Sequence, residues 1–114
     1  MRIDVKGRNF TVDDQLRQRA QKRFEKIARQ VSEVARLELE LSEEANPSIP
    51  ERCIAEATLY LKGTTLRARD ASDAMSHAIN LVADELTRQV QRHRDKQRGR
   101  RGAPAKAQMR PATP

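Results

Sequence analysis

The sequence predicts an α+β fold, a two-layer sandwich in the order β-α-β-β-β-α with both helices on one face of a four-stranded mixed sheet. Several short runs alternate apolar and polar residues, which is typical of strands with one buried face. Two longer segments repeat apolar residues at spacings of three and four, which indicates helices with one buried stripe. The 114 residues are enough for one small domain.

The first two elements are a short strand and an amphipathic helix. Ile3 and Val5 alternate with charged residues, and Gly7 is expected to close this strand. Thr11 is the predicted N-cap, because its hydroxyl can accept a hydrogen bond from the first helical turn. The helix is expected to end near residue 31, and its apolar stripe consists of Leu16, Ala20, Phe24, Ile27 and Val31.

Three more strands follow. Leu37, Leu39 and Leu41 alternate with glutamates, and a proline-containing loop over residues 43–50 comes next. A strand over residues 53–61 turns at 62–64 into a returning strand over residues 65–69. Cys53 is expected to be an inert core thiol, and the lone cysteine fits a reducing, cytoplasmic location.

The second helix is expected to begin at Asp70 or Ser72 and to break at Gly99. Its apolar stripe consists of Met75, Ala78, Ile79, Val82, Leu86 and Val90. Residues 1–98 are therefore the predicted domain. Residues 99–114 form a Pro/Ala-rich basic tail that is predicted to be disordered, or to be the start of a linker.

Charge is distributed unevenly along the chain, whose net charge is +7. Residues 1–32 carry nine basic and four acidic side chains, and residues 87–114 carry nine and one, whereas residues 33–56 carry two and seven. This segregation favours a polyanionic partner, with nucleic acid ahead of a membrane. No apolar run is long enough to cross a membrane, so no membrane partner is expected.

The candidate RNA-binding residues lie on the two predicted helices. The first helix offers Arg17, Arg19, Lys22, Arg23, Lys26 and Arg29, and the second offers Arg88, Arg92 and Lys96 as one ridge with Arg94 on the other flank. Arg88 can be explained as an ordinary solvated residue that pairs with Asp84 or Glu85. Such pairing does not explain the excess of basic over acidic residues at positions 92–101. These residue types favour phosphate contacts with folded RNA. The strand face is expected to be acidic and to repel nucleic acid.

Catalysis is not expected. His77 and His93 lie sixteen residues apart on one helix, which at about 1.5 Å per residue separates them by roughly 24 Å. The chain has no phosphate-binding glycine loop, and its clustered glutamates fit a solvated sheet face. We therefore predict no enzyme activity, no catalytic residues, no metal, no cofactor and no small-molecule substrate.

Three stretches resemble the family of ribosome hibernation-promoting factors, also called ribosome-associated translation inhibitors. The resemblance covers residues 1–98 and is carried by Gly7-Arg8-Asn9-Phe10-Thr11, by Lys22-Arg23-Phe24-Glu25-Lys26-Ile27 and by Asp84-Glu85-Leu86-Thr87-Arg88 with the residues up to Lys96. It implies a fold similar to double-stranded RNA-binding domains, bound to the small ribosomal subunit and its rRNA where it excludes tRNA and mRNA. The family's basic positions correspond to Arg17, Lys22, Arg23, Lys26, Arg88, Arg92, Arg94 and Lys96, with Arg8 as a weaker match.

The chain departs from the family pattern at Ala74, Ser76 and Asn80, where the family usually has acidic or aromatic residues. Long members of the family add a linker and a dimerising domain, so we expect a truncated long form rather than a short form. The chain as given is expected to be a monomer, and a dimer only if such a domain exists. The alternatives are a general double-stranded RNA module, and a protein interaction module that adds a partner strand at the sheet edge.

Overall fold

The computed structural model describes residues 1–102, with side-chain surroundings through Arg98. Of the tail predicted over residues 99–114, residues 103–114 lie outside the described residues, and residues 99–102 belong to the last helix instead. The elements in chain order are β1 (Arg2–Arg8), α1 (Asp14–Arg23), α2 (Glu25–Ala28), β2 (Arg36–Glu43), β3 (Cys53–Leu61), β4 (Thr64–Ser72) and α3 (Met75–Gly102). No helix in the described part is long and apolar enough to span a membrane.

The sheet has the strand order β1-β2-β3-β4, with β1 and β2 parallel and the other pairs antiparallel. Its inner face is apolar across all four strands, because Val5, Leu39, Ala57 and Ala68 lie in one register row and are all buried. The three helices cover this face. The predicted α+β sandwich is therefore confirmed.

The core is closed by the apolar stripes of the helices. Phe24 and Ile27 come from the first helical segment, and Leu86 and Val90 come from α3, each at most 1% exposed. Burying a side chain of this size stabilises the fold by roughly 1.5–3 kcal/mol. The same packing fixes the opposite, polar surface of each helix toward solvent, and that surface carries the basic residues.

The first helix differs from its sequence prediction at both ends. Asp13, not Thr11, is the N-cap, and its Oδ1 accepts from Leu16 N–H at 2.7 Å. A carboxylate there also interacts favourably with the positive end of the helix dipole. Phe24, at φ −93° and ψ 2°, separates α1 from α2, and α2 ends at Ala28 rather than near residue 31.

Gly7 and Gly99 do not interrupt their elements as predicted. Gly7 lies inside β1, where an added Cβ would come within 1.8 Å of the Phe10 carbonyl oxygen, so the chain can fold back over this position only because it is glycine. The left-handed Asn9, at φ 53°, completes the turn. Gly99 lies inside α3, because one glycine costs a helix only about 1 kcal/mol and its neighbours are good helix formers.

The junction between β4 and α3 corrects two further predictions. Asp70 lies in β4 opposite Ala55, so it is not a helix cap, and β4 continues to Ser72. The buried Ser72 Oγ lies 2.7 Å from His77 Nδ1 at the start of α3.

Cys53, at the start of β3, is half-buried rather than a full core residue, and its partial burial raises the pKa of its thiol.

Candidate nucleic-acid interface

The first basic surface is a shallow groove, the α1–α2 groove, lined by Arg19, Lys22, Arg23, Glu25, Lys26, Arg29 and Asn80. Since α1 buries Ala20 and its neighbour Phe24, the intervening long side chains must point outward. Among residues 1–98, no carboxylate forms an ion pair with Arg19, Lys22 or Lys26. These three exposed cations are therefore available to an anionic partner.

Arg23 forms the wall between the groove and α3. Its Nε donates to Asn80 Oδ1 at 2.9 Å and its Nη2 donates to Asp84 Oδ1 at 2.5 Å, so it joins α1 to α3. The half-buried guanidinium is held in place and partly neutralised. Because Asp84 pairs with Arg23, the predicted pair between Asp84 and Arg88 does not form.

The second basic surface, the α3 ridge, consists of Arg88, Arg92 and Lys96. Glu85 binds Arg88 at 2.8 Å, as predicted. It also lies 3.7 Å from Arg92, which the sequence predicts to belong to the uncompensated basic excess. Hydrogen bonds from Arg88 and then Gln89 lower the pKa of the Glu85 carboxyl, which therefore stays ionised. Only Lys96 on this ridge lacks an ion pair among residues 1–98.

Three further predicted RNA contacts have different surroundings. Arg17 is half-buried, and its Nη1 donates to the Val5 carbonyl of edge strand β1 at 2.6 Å. Arg94 is half-buried and donates to Gln30 Oε1 at 3.3 Å. Arg8 is exposed at the end of β1. Arg17 and Arg94 thus hold elements together, while Arg29 stays in the groove with Glu25 3.9 Å away.

The open face of the sheet is not acidic, which corrects the sequence prediction. Glu40 and Glu56 face each other in the central strands, but Lys6 and Arg69 flank them in the same register row. Elsewhere on this face Arg36 lies over the Tyr60 ring, 4.6 Å from its centroid. The edge strands therefore balance the glutamates of β2 and β3.

Sequence reasoning missed the uncharged partners of the basic residues. Asn80 lines the α1–α2 groove, Gln30 holds Arg94, and Gln89 donates to the Arg67 carbonyl of edge strand β4 at 2.7 Å. The only available signal was position, because Asn80 lies one turn before Asp84 on the polar side of α3. Within the described residues, no cluster of three or more His, Cys, Asp or Glu residues could hold a metal ion.

The fold and these two surfaces define a small α+β domain whose basic helical layer suits a phosphate-rich partner. Comparison with known proteins then gives its family. The sequence profile described as "Sigma 54 modulation protein / S30EA ribosomal protein" matches residues 3–98, and the chain belongs to that family.

Curated relatives are similar over most of the chain. A "Ribosome hibernation promotion factor" of Picosynechococcus sp. is 28% identical over 102 residues, which are 89% of this chain and 53% of that protein. A "Ribosome hibernation promoting factor" of Azotobacter vinelandii is 27% identical and is matched over 86% of its length by 85% of this chain. The chain thus spans about half of the first relative and most of the second.

Solved structures show the same fold. A ribosomal subunit interface protein from Coxiella burnetii superposes with a TM-score of 0.70 at 19% identity, covering 83% of this chain and 99% of that one. The Thermus thermophilus Protein Y N-terminal domain superposes with a TM-score of 0.69 at 24% identity, covering 82% and 99%. Because the sequence identities to these two structures are 19% and 24%, the superpositions establish only the fold. The family assignment rests on the profile match over residues 3–98.

Proposed function

We propose that this chain is a ribosome-binding hibernation factor that inhibits translation by occupying the tRNA and mRNA channel of the small ribosomal subunit. Its basic helical layer contacts rRNA phosphates, with Lys22, Lys26 and Arg29 acting from the α1–α2 groove. The α3 ridge and Arg8 add further contacts. The names of the curated relatives support ribosome binding and hibernation.

The observation that carries the proposal is the set of unpaired cations in the α1–α2 groove. Arg19, Lys22 and Lys26 are exposed and adjacent, and repulsion between them is relieved when phosphates neutralise them. A surface evolved only for solubility would intersperse both signs of charge. The groove instead concentrates one sign on the layer that the family's basic positions occupy.

Inhibition follows from occupancy and not from catalysis. The 114-residue chain acts in the cytoplasm as a monomer, and it needs no cofactor. Strand addition by a protein partner is disfavoured, because Arg17 binds the Val5 carbonyl on one edge strand and Gln89 binds the Arg67 carbonyl on the other. A general double-stranded RNA module has the same phosphate chemistry, so competition must separate it from a ribosome-specific factor.

Density-gradient sedimentation of the protein with ribosomes, and with each isolated subunit, tests the proposal. We expect co-migration with the small subunit and displacement by tRNA with mRNA, but not by a generic RNA duplex. Displacement by the duplex would assign a general RNA-binding module instead. Absence of co-migration even at low salt would overturn the ribosome assignment.

Salt dependence tests the phosphate contacts separately. If about six to eight phosphates are neutralised, the affinity for the small subunit should fall by orders of magnitude between low and moderate salt. Filter binding over a salt series measures this slope. A shallow slope would contradict binding through the basic helical layer.

A further inference from the structure

A pocket lies at the end of the molecule where α3 passes over the turn after α2 and the β3–β4 hairpin. It has a volume of about 510 Å³ and is separate from the α1–α2 groove. One wall comes from Gln30 and Ser32, the other from the last described turns of α3, and the hairpin contributes Lys62. The hydrogen bond from Arg94 to Gln30 joins the two walls. We call this the α3-end pocket.

The lining of the α3-end pocket is one-sided in charge. Lys62, Arg94 and Arg98 provide three cations, and none of the ten lining residues, all within the described chain, is acidic. Asp95 lies 3.9 Å from Arg98 but outside the lining, so Lys62 and Arg94 are the cations without an ion pair among residues 1–98. Residues 99–114 carry four basic and no acidic side chains, so they do not complement the charge of the pocket. The pocket therefore favours an anionic ligand from outside the chain.

The remaining lining adds an apolar surface and neutral hydrogen-bonding groups. Val31 and Leu61, both half-buried, form the accessible apolar part, and the fully buried Val90 lies beneath them. Ser32, His93 and Gln97 offer donors and acceptors around that surface. An anion with a flat, partly apolar body bearing polar edges fits this combination, and a nucleotide has that chemistry.

We propose that the α3-end pocket binds one unpaired nucleotide of the RNA partner, with the base on the apolar surface and the neighbouring phosphates on Lys62, Arg94 and Arg98. The inference rests on the proposed function, because the nucleotide belongs to the RNA partner that the α3 ridge contacts. An RNA source is favoured over a free nucleotide, since Lys62 of the hairpin and Arg94 and Arg98 of α3 place cations on two sides of the pocket, where the phosphates on either side of one nucleotide are expected. The contact gives base recognition, which phosphate contacts lack.

A pair of RNA duplexes tests the proposal by fluorescence anisotropy at fixed salt. One duplex is blunt and perfectly paired, and the other is identical except for a single unpaired adenosine. We expect the bulged duplex to bind about fivefold or more tightly, because only its extruded base reaches the pocket. Equal affinities for the two duplexes would overturn the proposal.

Matched double variants identify the pocket as the source of the preference. Lys62→Glu with Gln97→Glu changes two exposed lining residues, whereas Lys6→Glu with Gln15→Glu makes the same charge change at exposed positions outside the pocket. Both should weaken blunt-duplex binding to a similar extent. The first pair alone should abolish the preference for the bulge, and loss of the preference in both would contradict the assignment.

Two further measurements distinguish RNA from a free nucleotide as the ligand, and the pocket proposal from the ribosome proposal. In an NMR titration, adenosine monophosphate alone should bind much more weakly than the bulged duplex, as measured by the shifts of the backbone amide signals of Ser32 and Leu61. Equal affinity for the mononucleotide would overturn the RNA assignment. Wild-type sedimentation with the small subunit but no bulge preference would reject only the pocket, and a bulge preference without sedimentation would reject only the ribosome assignment.

Discussion

The α1–α2 groove and the α3 ridge are both basic in sequence but differ in how their charges are used. In the groove, Arg19, Lys22 and Lys26 have no ion pair among residues 1–98, whereas on the ridge Glu85 holds both Arg88 and Arg92. A carboxylate that pairs with an arginine must be displaced or outcompeted before a phosphate takes its place. The groove, with three cations that lack an ion pair against one on the ridge, is therefore expected to provide more of the binding free energy.

Charge reversal in the groove should give the largest effect. Arg19→Glu, Lys22→Glu and Lys26→Glu together should lower the affinity for the small subunit by about 100-fold or more and reduce its salt dependence. The matched triple change at Arg88, Arg92 and Lys96 should also weaken binding, but less. Filter binding measures both, and a greater loss from the ridge variant would reverse the proposed ranking.

Removing Arg17 should affect folding rather than binding. Arg17→Ala removes a charge-assisted hydrogen bond to the Val5 carbonyl, so the free energy of unfolding should fall by about 1–2 kcal/mol. Urea denaturation measures the change. Arg19→Ala is the control, because this exposed arginine should change stability by less than about 0.5 kcal/mol while weakening ribosome binding. Equal free energies of unfolding for the two variants would show that the hydrogen bond from Arg17 to the Val5 carbonyl does not stabilise the fold.

Releasing the ridge from its internal carboxylate should make it resemble the groove. Glu85→Gln frees Arg88 and Arg92, so RNA affinity should rise by about threefold to tenfold at low salt and by less at high salt. Glu33→Gln makes the same charge change at an exposed residue away from the ridge and controls for net charge. If both variants bind RNA with equal affinity, pairing with Glu85 does not limit the contribution of the α3 ridge to RNA binding.

The pH response of Glu85 should give the smallest effect. Its folded-state pKa lies below the ordinary value, so its stabilising contribution is present above the unfolded pKa and is lost as the pH falls through the lowered pKa. The pairing therefore persists throughout the neutral range. NMR titration should show that Arg88→Ala raises the Glu85 pKa toward its ordinary value. Arg29→Ala, at the C-cap of α2, should leave the Glu85 pKa unchanged.

The sequence by itself determined the layers and their order. Alternation in Leu37, Leu39 and Leu41 and the helical spacing of Met75, Ile79 and Val82 are local patterns, and burial of apolar area makes each one select a face. The basic face of each helix followed directly, because residues opposite a buried stripe must meet solvent. Family membership agreed with this pattern over residues 3–98.

Only the tertiary structure decided which basic side chains are available to an anionic partner. Asp84 and Glu85 are neighbours in sequence, yet one binds Arg23 of α1 and the other binds Arg88 of its own helix. Arg17 serves an edge strand, and Lys6 and Arg69 neutralise a sheet face that β2 and β3 alone would make acidic. Ion pairs and hydrogen bonds depend on distances across elements, and these distances are set by how the layers pack rather than by spacing along the chain.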